Sequence, residues 1–233
     1  MPRKRKVYGN CPYCGEYHKL TLDHVIPKSL FTKPLPGDIP KIYACATCNN
    51  LLKSTYDTDL RDLLLVDIDS SQSPQAQLLY PRFERVVSRN QSKMARAMRE
   101  NSYLVELKLE PGVIAFLGYT SPEANEQMPK IMMMIVRGLY FYNTGKTLPP
   151  DIIFSGMRER NNSRCQDVIQ LFTEACDPLK QIGDGSVFEY RFDIKKDDPN
   201  NSAWMLIFYE RAVFIMITQS SQKVAETMHA IEN

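Results

Sequence analysis

Cys11-Pro-Tyr-Cys14, Leu20-Thr-Leu-Asp-His24-Val-Ile-Pro-Lys-Ser-Leu30 and Cys45-Ala-Thr-Cys48-Asn49-Asn50 are the strings whose reading decides the fold. Each Cys-x-x-Cys turn aims two thiolates at one point. Two such turns supply the four sulfurs that tetrahedral zinc prefers, with no open coordination position. The other readings of a single pair are a redox dithiol or buried free thiols. Two pairs so close together, in a chain of six cysteines, favour a structural Zn²⁺ on Cys11, Cys14, Cys45 and Cys48. The segment is short and polar, so metal binding supplies folding energy that its own core cannot.

Between the pairs, Leu20 to His24 alternates apolar and polar residues, as a short strand does, and Pro27 ends regular pairing. On a strand, Asp23 and His24 point to opposite faces; both reach one site only if the backbone turns sharply there. From Asn49 to about Val66, Leu51, Leu52, Tyr56, Leu60, Leu63 and Leu64 fall at helical spacing.

Together these strings resemble the HNH endonuclease family, over about the first quarter of the chain. The resemblance implies a ββα-metal fold, two strands and a helix around one catalytic divalent ion. It implies His24 as the general base, with Asp23 and Asn49 as ligands of a Mg²⁺ or Mn²⁺ ion; Asn50 is the alternative second ligand. Many members carry an Asn or His in the loop before the second Cys pair. Here that loop reads Pro36-Gly-Asp-Ile-Pro40-Lys41, with Asp38 as the candidate substitute. A Lys usually follows the Asn by three; Lys53 lies three after Asn50 and four after Asn49. The residue types suit phosphodiester hydrolysis. A neutral imidazole accepts a proton near neutral pH, and a carboxylate with an amide oxygen leaves a hard ion largely hydrated. Arg137 to Gly145 and Ser202 to Tyr209 also look like the C-terminal region of bacterial stand-alone HNH proteins.

The 233 residues are 43% hydrophobic and 24% charged, an ordinary globular composition. A formal charge of +2 makes any nucleic-acid footprint a matter of local clustering. Pro2 to Lys6 is basic, read equally as a solubilising terminus or a phosphate-contacting arm; no apolar run follows to make a signal peptide. The longest apolar stretches, Ile131–Val136 and Ala212–Ile217, are too short for a bilayer. A reduced, cytoplasmic protein with no membrane partner is expected. Cys165 and Cys176 read as buried thiols; His18 and His229 are isolated and take no assigned role, though His18 lies close enough to the zinc turn to be a spare ligand.

The expected organisation is α+β: an HNH unit at 1–66 stapled by its four-cysteine zinc, a polar linker at 67–80, and a mixed α+β domain with antiparallel hairpins at 81–233. A helix is expected over Pro81–Glu100. On it Arg82, Arg85, Arg89, Lys93 and Arg96 share one face with almost no acidic partners, which suits phosphate contact over a merely solvated face. Tyr103–Leu109 and Val113–Tyr119 flank a Pro-Gly turn and read as a hairpin. An apolar helix over 130–142 forms the core, with Met132 to Met134 as filler. A helix over Ser163–Cys176, strands over Val187–Phe192 and Ala203–Thr218, and a last helix from Ser220 to Ile231 complete the reading.

Function is thus expected to be metal-dependent cleavage of DNA, double-stranded by preference. A protein partner or a homodimer is a further expectation. The alternatives are an inactive zinc module binding nucleic acid or protein, and an effector subunit activated by a partner.

Overall fold

The computed structural model describes residues 6–67, 70–89, 102–109, 112–119, 122–158, 169–170, 172–174, 176 and 178–220. The fold is mixed α and β with antiparallel sheets. Strands β1 (Val7–Asn10), β2 (Tyr17–His24) and β3 (Lys41–Cys45) form a three-stranded sheet in that order. Leu20 lies between Val7 and Cys45, and His24 opposite Lys41. From β3 the chain passes through wide π-helical turns, Thr47–Leu52, into helix α1 (Lys53–Val66). Leu60, Leu63 and Leu64 bury one side of α1 at helical spacing.

The polar stretch expected to be a linker is structured. It holds a short 3-10 turn, Ser70–Gln72, and the first half of helix α2 (Pro74–Ser88). Pro74 occupies the first helical turn, where its missing N–H has no partner to lose, and Ala76 and Leu79 are buried. The helix expected to begin at Pro81 therefore begins seven residues earlier and carries Pro81 inside it.

Strands β4 (Ser102–Leu109) and β5 (Gly112–Tyr119) pair from Ser102↔Tyr119 to Leu109↔Gly112, the expected hairpin. Helix α3 (Pro122–Thr144) runs through Pro129 and so begins before the helix expected over 130–142. Its Ile131, Met132, Ile135, Val136 and Leu139 are buried, and it packs on α1 and β3. It ends at Gly145, whose φ of 69° favours glycine and whose N–H bonds the Phe141 carbonyl. Buried Arg137 donates to the carbonyls of Leu148, Pro149 and Pro150, tying the helix to its exit loop.

The C-terminal sheet has the order β6-β10-β9-β8-β7, all antiparallel. Its strands are β6 (Ile153–Arg158), β7 (Lys180–Ile182), β8 (Phe188–Ile194), β9 (Ser202–Phe208) and β10 (Ala212–Gln219). Phe188, Tyr190 and Phe192 share the buried face of β8, and Phe192 stacks on Trp204 at 4.8 Å. The single strand expected over Ala203–Thr218 is two. Tyr209 and Glu210 adopt φ of 53° and 61° and fold it into a hairpin, so that Phe208 faces Ala212.

One contiguous apolar core includes Cys11, Val25 and Leu60 from the first 66 residues and Leu139, Trp204 and Phe214 from the rest. The expected Ser220–Ile231 helix lies outside the described residues, as does most of Ser163–Cys176. Among the described residues no helix is long and apolar enough to cross a membrane.

Candidate metal centre and cleft

Cys11 and Cys14 sit in the turn between β1 and β2. Gly15, at φ 79°, lets this turn close, with Cys11 N–H on the Glu16 carbonyl at 2.9 Å. Cys45 ends β3 and Cys48 lies in the π-helical turns. The four sulfurs lie within 4.8 Å of one another, and Cys14 and Cys45 Sγ are 4.0 Å apart. Zinc–sulfur bonds of about 2.3 Å in a tetrahedron separate sulfurs by about 3.8 Å, so the cluster needs little contraction to close on an ion. The N–H of Cys45 donates to Cys11 Sγ and that of Cys48 to Cys45 Sγ, both at 3.4 Å. Such bonds stabilise thiolates. Contact with the Cys48 thiol, helped by the Cys45 amide, holds Cys11 down at about 4, while the same contact pushes Cys48 up. Four thiols at this spacing, with backbone N–H groups on two of them, suit a closed structural metal.

Next to Cys48 along the chain, Asn49 opens onto a cleft of about 320 Å³, lined by Leu22, Asp23, His24, Lys28, Asn49, Asn50 and Asp57. The structure thus brings together Asp23, His24 and Asn49. Asp23 turns inward, with 5% exposure, whereas His24 is half-buried, the opposite orientations that a strand dictates. Both reach the cleft because β2 ends at His24; Val25 N–H then bonds the Pro40 carbonyl.

Asp23 is held from two sides. Tyr13 OH donates to Oδ2 at 2.5 Å, and Lys53 Nζ lies 3.4 Å from Oδ1. Lys53 is itself buried. Its ammonium donates to the His24 carbonyl at 2.5 Å and to both Asp57 oxygens at 3.1 and 3.3 Å. Burial and the neighbouring Asp23 carboxylate push the Tyr13 phenol well up, so it remains a donor. Asn49 Nδ2 donates to Thr21 Oγ1 at 3.1 Å and to the Leu22 carbonyl at 3.3 Å, which pins the amide against β2.

The donors at this cleft are carboxylate and amide oxygens, the chemistry of a hard divalent cation. Asp23 and Asp57 draw the Lys53 ammonium between them, and Lys28 lines the same cleft, so the two carboxylates are set among positive charge. The set fits a divalent ion.

Burial lowers the His24 imidazole below its ordinary value, and Lys28 and Lys41 act in the same direction. The ring is therefore neutral at pH 7. Burial raises Asp57 to about 6, against the pull of Lys53.

Other expected residues lie elsewhere. Asp38 accepts the Gly183 N–H at 3.1 and 3.0 Å. It fastens its loop to the turn between β7 and β8 and does not line the cleft. Arg82 and Arg85 are exposed on α2, with Arg89 exposed just beyond it, and Arg85 Nε bonds its own helix at the Pro81 carbonyl. Lys93 and Arg96 lie outside the described residues. His18 Nε2 pairs with Glu16 at 3.0 Å, and these two with Cys14 bring their donor atoms within 4.8 Å.

Sequence reasoning missed Tyr13 and Asp57. A signal for Asp57 was present: it follows Lys53 by four residues and Asn49 by eight, the spacing of one helix face. Tyr13 gave none beyond its place inside the first Cys-x-x-Cys. No family model matches this chain, and no curated protein or solved structure matches it either.

Proposed function

We propose that this chain is an HNH-type endonuclease that hydrolyses phosphodiester bonds of DNA with a divalent ion. The observation that carries this reading is the meeting of His24, Asp23 and Asn49 around one cleft, beside a four-cysteine cluster. Two antiparallel strands and the helix that follows them bring these residues together. Zn²⁺ in the Cys11, Cys14, Cys45 and Cys48 cluster has a structural role, because four thiolates leave no open position.

His24 is the general base. Its neutral ring accepts a proton from the attacking water, which the half-buried position leaves reachable. Asp23 and Asn49 contribute oxygens for Mg²⁺ or Mn²⁺. Bound there, the ion supplies a Lewis acid for the phosphoryl oxygen and relieves charge on the leaving oxygen. Lys28 in the cleft and Lys41 opposite His24 supply positive charge for a phosphate backbone, and the exposed Arg82, Arg85 and Arg89 are further phosphate contacts.

The test is plasmid nicking with Mg²⁺ or Mn²⁺. His24→Ala abolishes nicking and leaves zinc content unchanged; equal nicking by the variant removes His24 as base. One observation favours a second reading, a zinc module that binds without cutting: both Asp23 oxygens are engaged within the chain. Under that reading the wild type binds DNA and nicks nothing with any metal.

A further inference from the structure

We propose that Leu22 and Tyr43 form a platform for a nucleobase beside the cleft, so that the DNA taken there carries an unpaired base next to the phosphate to be cut. The proposal rests on the nuclease reading above and names the class of DNA that the site accepts.

Leu22 of β2 and Tyr43 of β3 lie directly opposite each other, so their side chains share one face of the sheet. Cross-strand partners stand about 5 Å apart and form one surface. Leu22 is 51% exposed and Tyr43 45%. A single exposed apolar residue needs no explanation; two large ones side by side do. The next pair on the same face is His24 and Lys41. Between them, Asp23 and Ile42 point the other way and are buried. Leu22 also lines the cleft with His24, so the apolar surface continues into the proposed site of cleavage.

Charge and size select the occupant. Lys41 stands exposed beside Tyr43 along β3, and the exposed Lys28 lines the cleft. The carboxylates of the cleft, Asp23 and Asp57, are both met by Lys53. An apolar surface edged by cations suits a strand that brings bases as well as phosphates. A stable protein interface covers about 800 Å² on each partner, whereas a buried tyrosine contributes about 200 Å², so these two side chains fall short of one. A second copy of this chain would also set the lysines of both copies against each other. A base needs only one ring face. In a paired duplex the base faces are covered by their neighbours, and only edges show in the grooves. The Tyr43 ring therefore meets a base face only where the strand is unpaired. The competing account is that Leu22 and Tyr43 are a cross-strand pair that supports the sheet and meets no ligand.

The experiment uses the full, zinc-loaded chain without added divalent ion, so that nothing is cut. Binding is read by fluorescence anisotropy on three labelled probes of equal length: an oligothymidine strand, the same strand with abasic sites throughout, and a fully paired duplex. Tyr43→Leu keeps apolar bulk but removes the ring. It is expected to bind oligothymidine about tenfold more weakly, with its affinity for the abasic strand and the duplex unchanged. Tyr43→Phe, which keeps the ring, is expected to bind all three as wild type does. Tyr43→Leu with wild-type affinity for oligothymidine, or with an equal loss on all three probes, overturns the platform and leaves the nuclease reading standing. Wild type that binds none of the three overturns both. Should Tyr43→Leu lose its melting transition, wild type decides: equal affinity for oligothymidine and for the abasic strand overturns the proposal, and about tenfold tighter binding of oligothymidine supports it.

Discussion

Burial and three nearby lysines outweigh the adjacent Asp23 carboxylate at His24, and that sets the pH at which its ring is neutral. Lys28 lines its cleft, Lys41 faces it across the sheet, and Lys53 bonds its carbonyl. Burial and these cations disfavour the imidazolium, so the ring loses its proton below the usual 6.5. A base works only when deprotonated. With His24 as the proposed base, the acid limb of DNA nicking is expected below pH 6.5, where an ordinary imidazole is half protonated. An NMR titration of His24 is expected to give a midpoint under 6.5. Lys41→Met, which removes one of these charges, moves it upward; a midpoint unmoved or lowered contradicts the cause. This behaviour could not be read from the residue string. Asp23 and His24 were legible as a pair because their identity and spacing carry chemistry. The lysines and Tyr13 were not, because their effect depends on which chains pack against which.

At the scale of elements, close approaches decide the geometry. A Cβ on Gly138 of α3 would lie 2.7 Å from Val25 Cγ1 and 3.2 Å from Tyr13 OH. Val25 follows His24, so α3 presses directly behind the cleft. Gly138→Ala is expected to destabilise the fold by about 1–3 kcal/mol, the usual cost of overpacking, as measured by chemical denaturation. The four cysteines join β1, β2, β3 and the π-helical turns that lead into α1, so Cys11→Ser or Cys48→Ser is expected to lose zinc and lower the melting temperature. An unaltered melt would show that these elements hold without the metal. Helix α2 carries its arginines outward. Arg85→Gln with Arg89→Gln is expected to flatten the salt dependence of DNA binding by about 0.9 in log–log slope per lost phosphate contact. An unchanged slope returns them to a simple solvated face. Periodicity gave α1 and the β4–β5 hairpin. It missed the start of α2, where Ser, Gln and Pro masked a helical turn. It also ran β9 and β10 together, because Tyr209 and Glu210 turn the chain without glycine or proline.

The whole molecule is less divisible than its sequence suggested. Tyr209 OH, in the C-terminal sheet, donates to the Leu30 carbonyl at 2.9 Å, and Asp38 reaches back to Gly183. Both anchor the segment between β2 and β3, the same segment that follows His24. Composition could not reveal this, since contacts between distant segments leave no local pattern. Tyr209→Phe is expected to cost about 1 kcal/mol, the net worth of one buried hydrogen bond, read from the denaturation midpoint. Residues 1–66 expressed alone with zinc are expected to lack a cooperative melt, because Val25, Leu30 and Leu60 then lose their cover.

Tyr13 stands between two of the sulfur-bearing residues and ends on a carboxylate of the cleft. A chelator or an oxidant that scatters the thiols would let go of that phenol, and with it one of the two grips on Asp23. The geometry of the cleft would then follow the thiol chemistry of its surroundings, although no cysteine lines it.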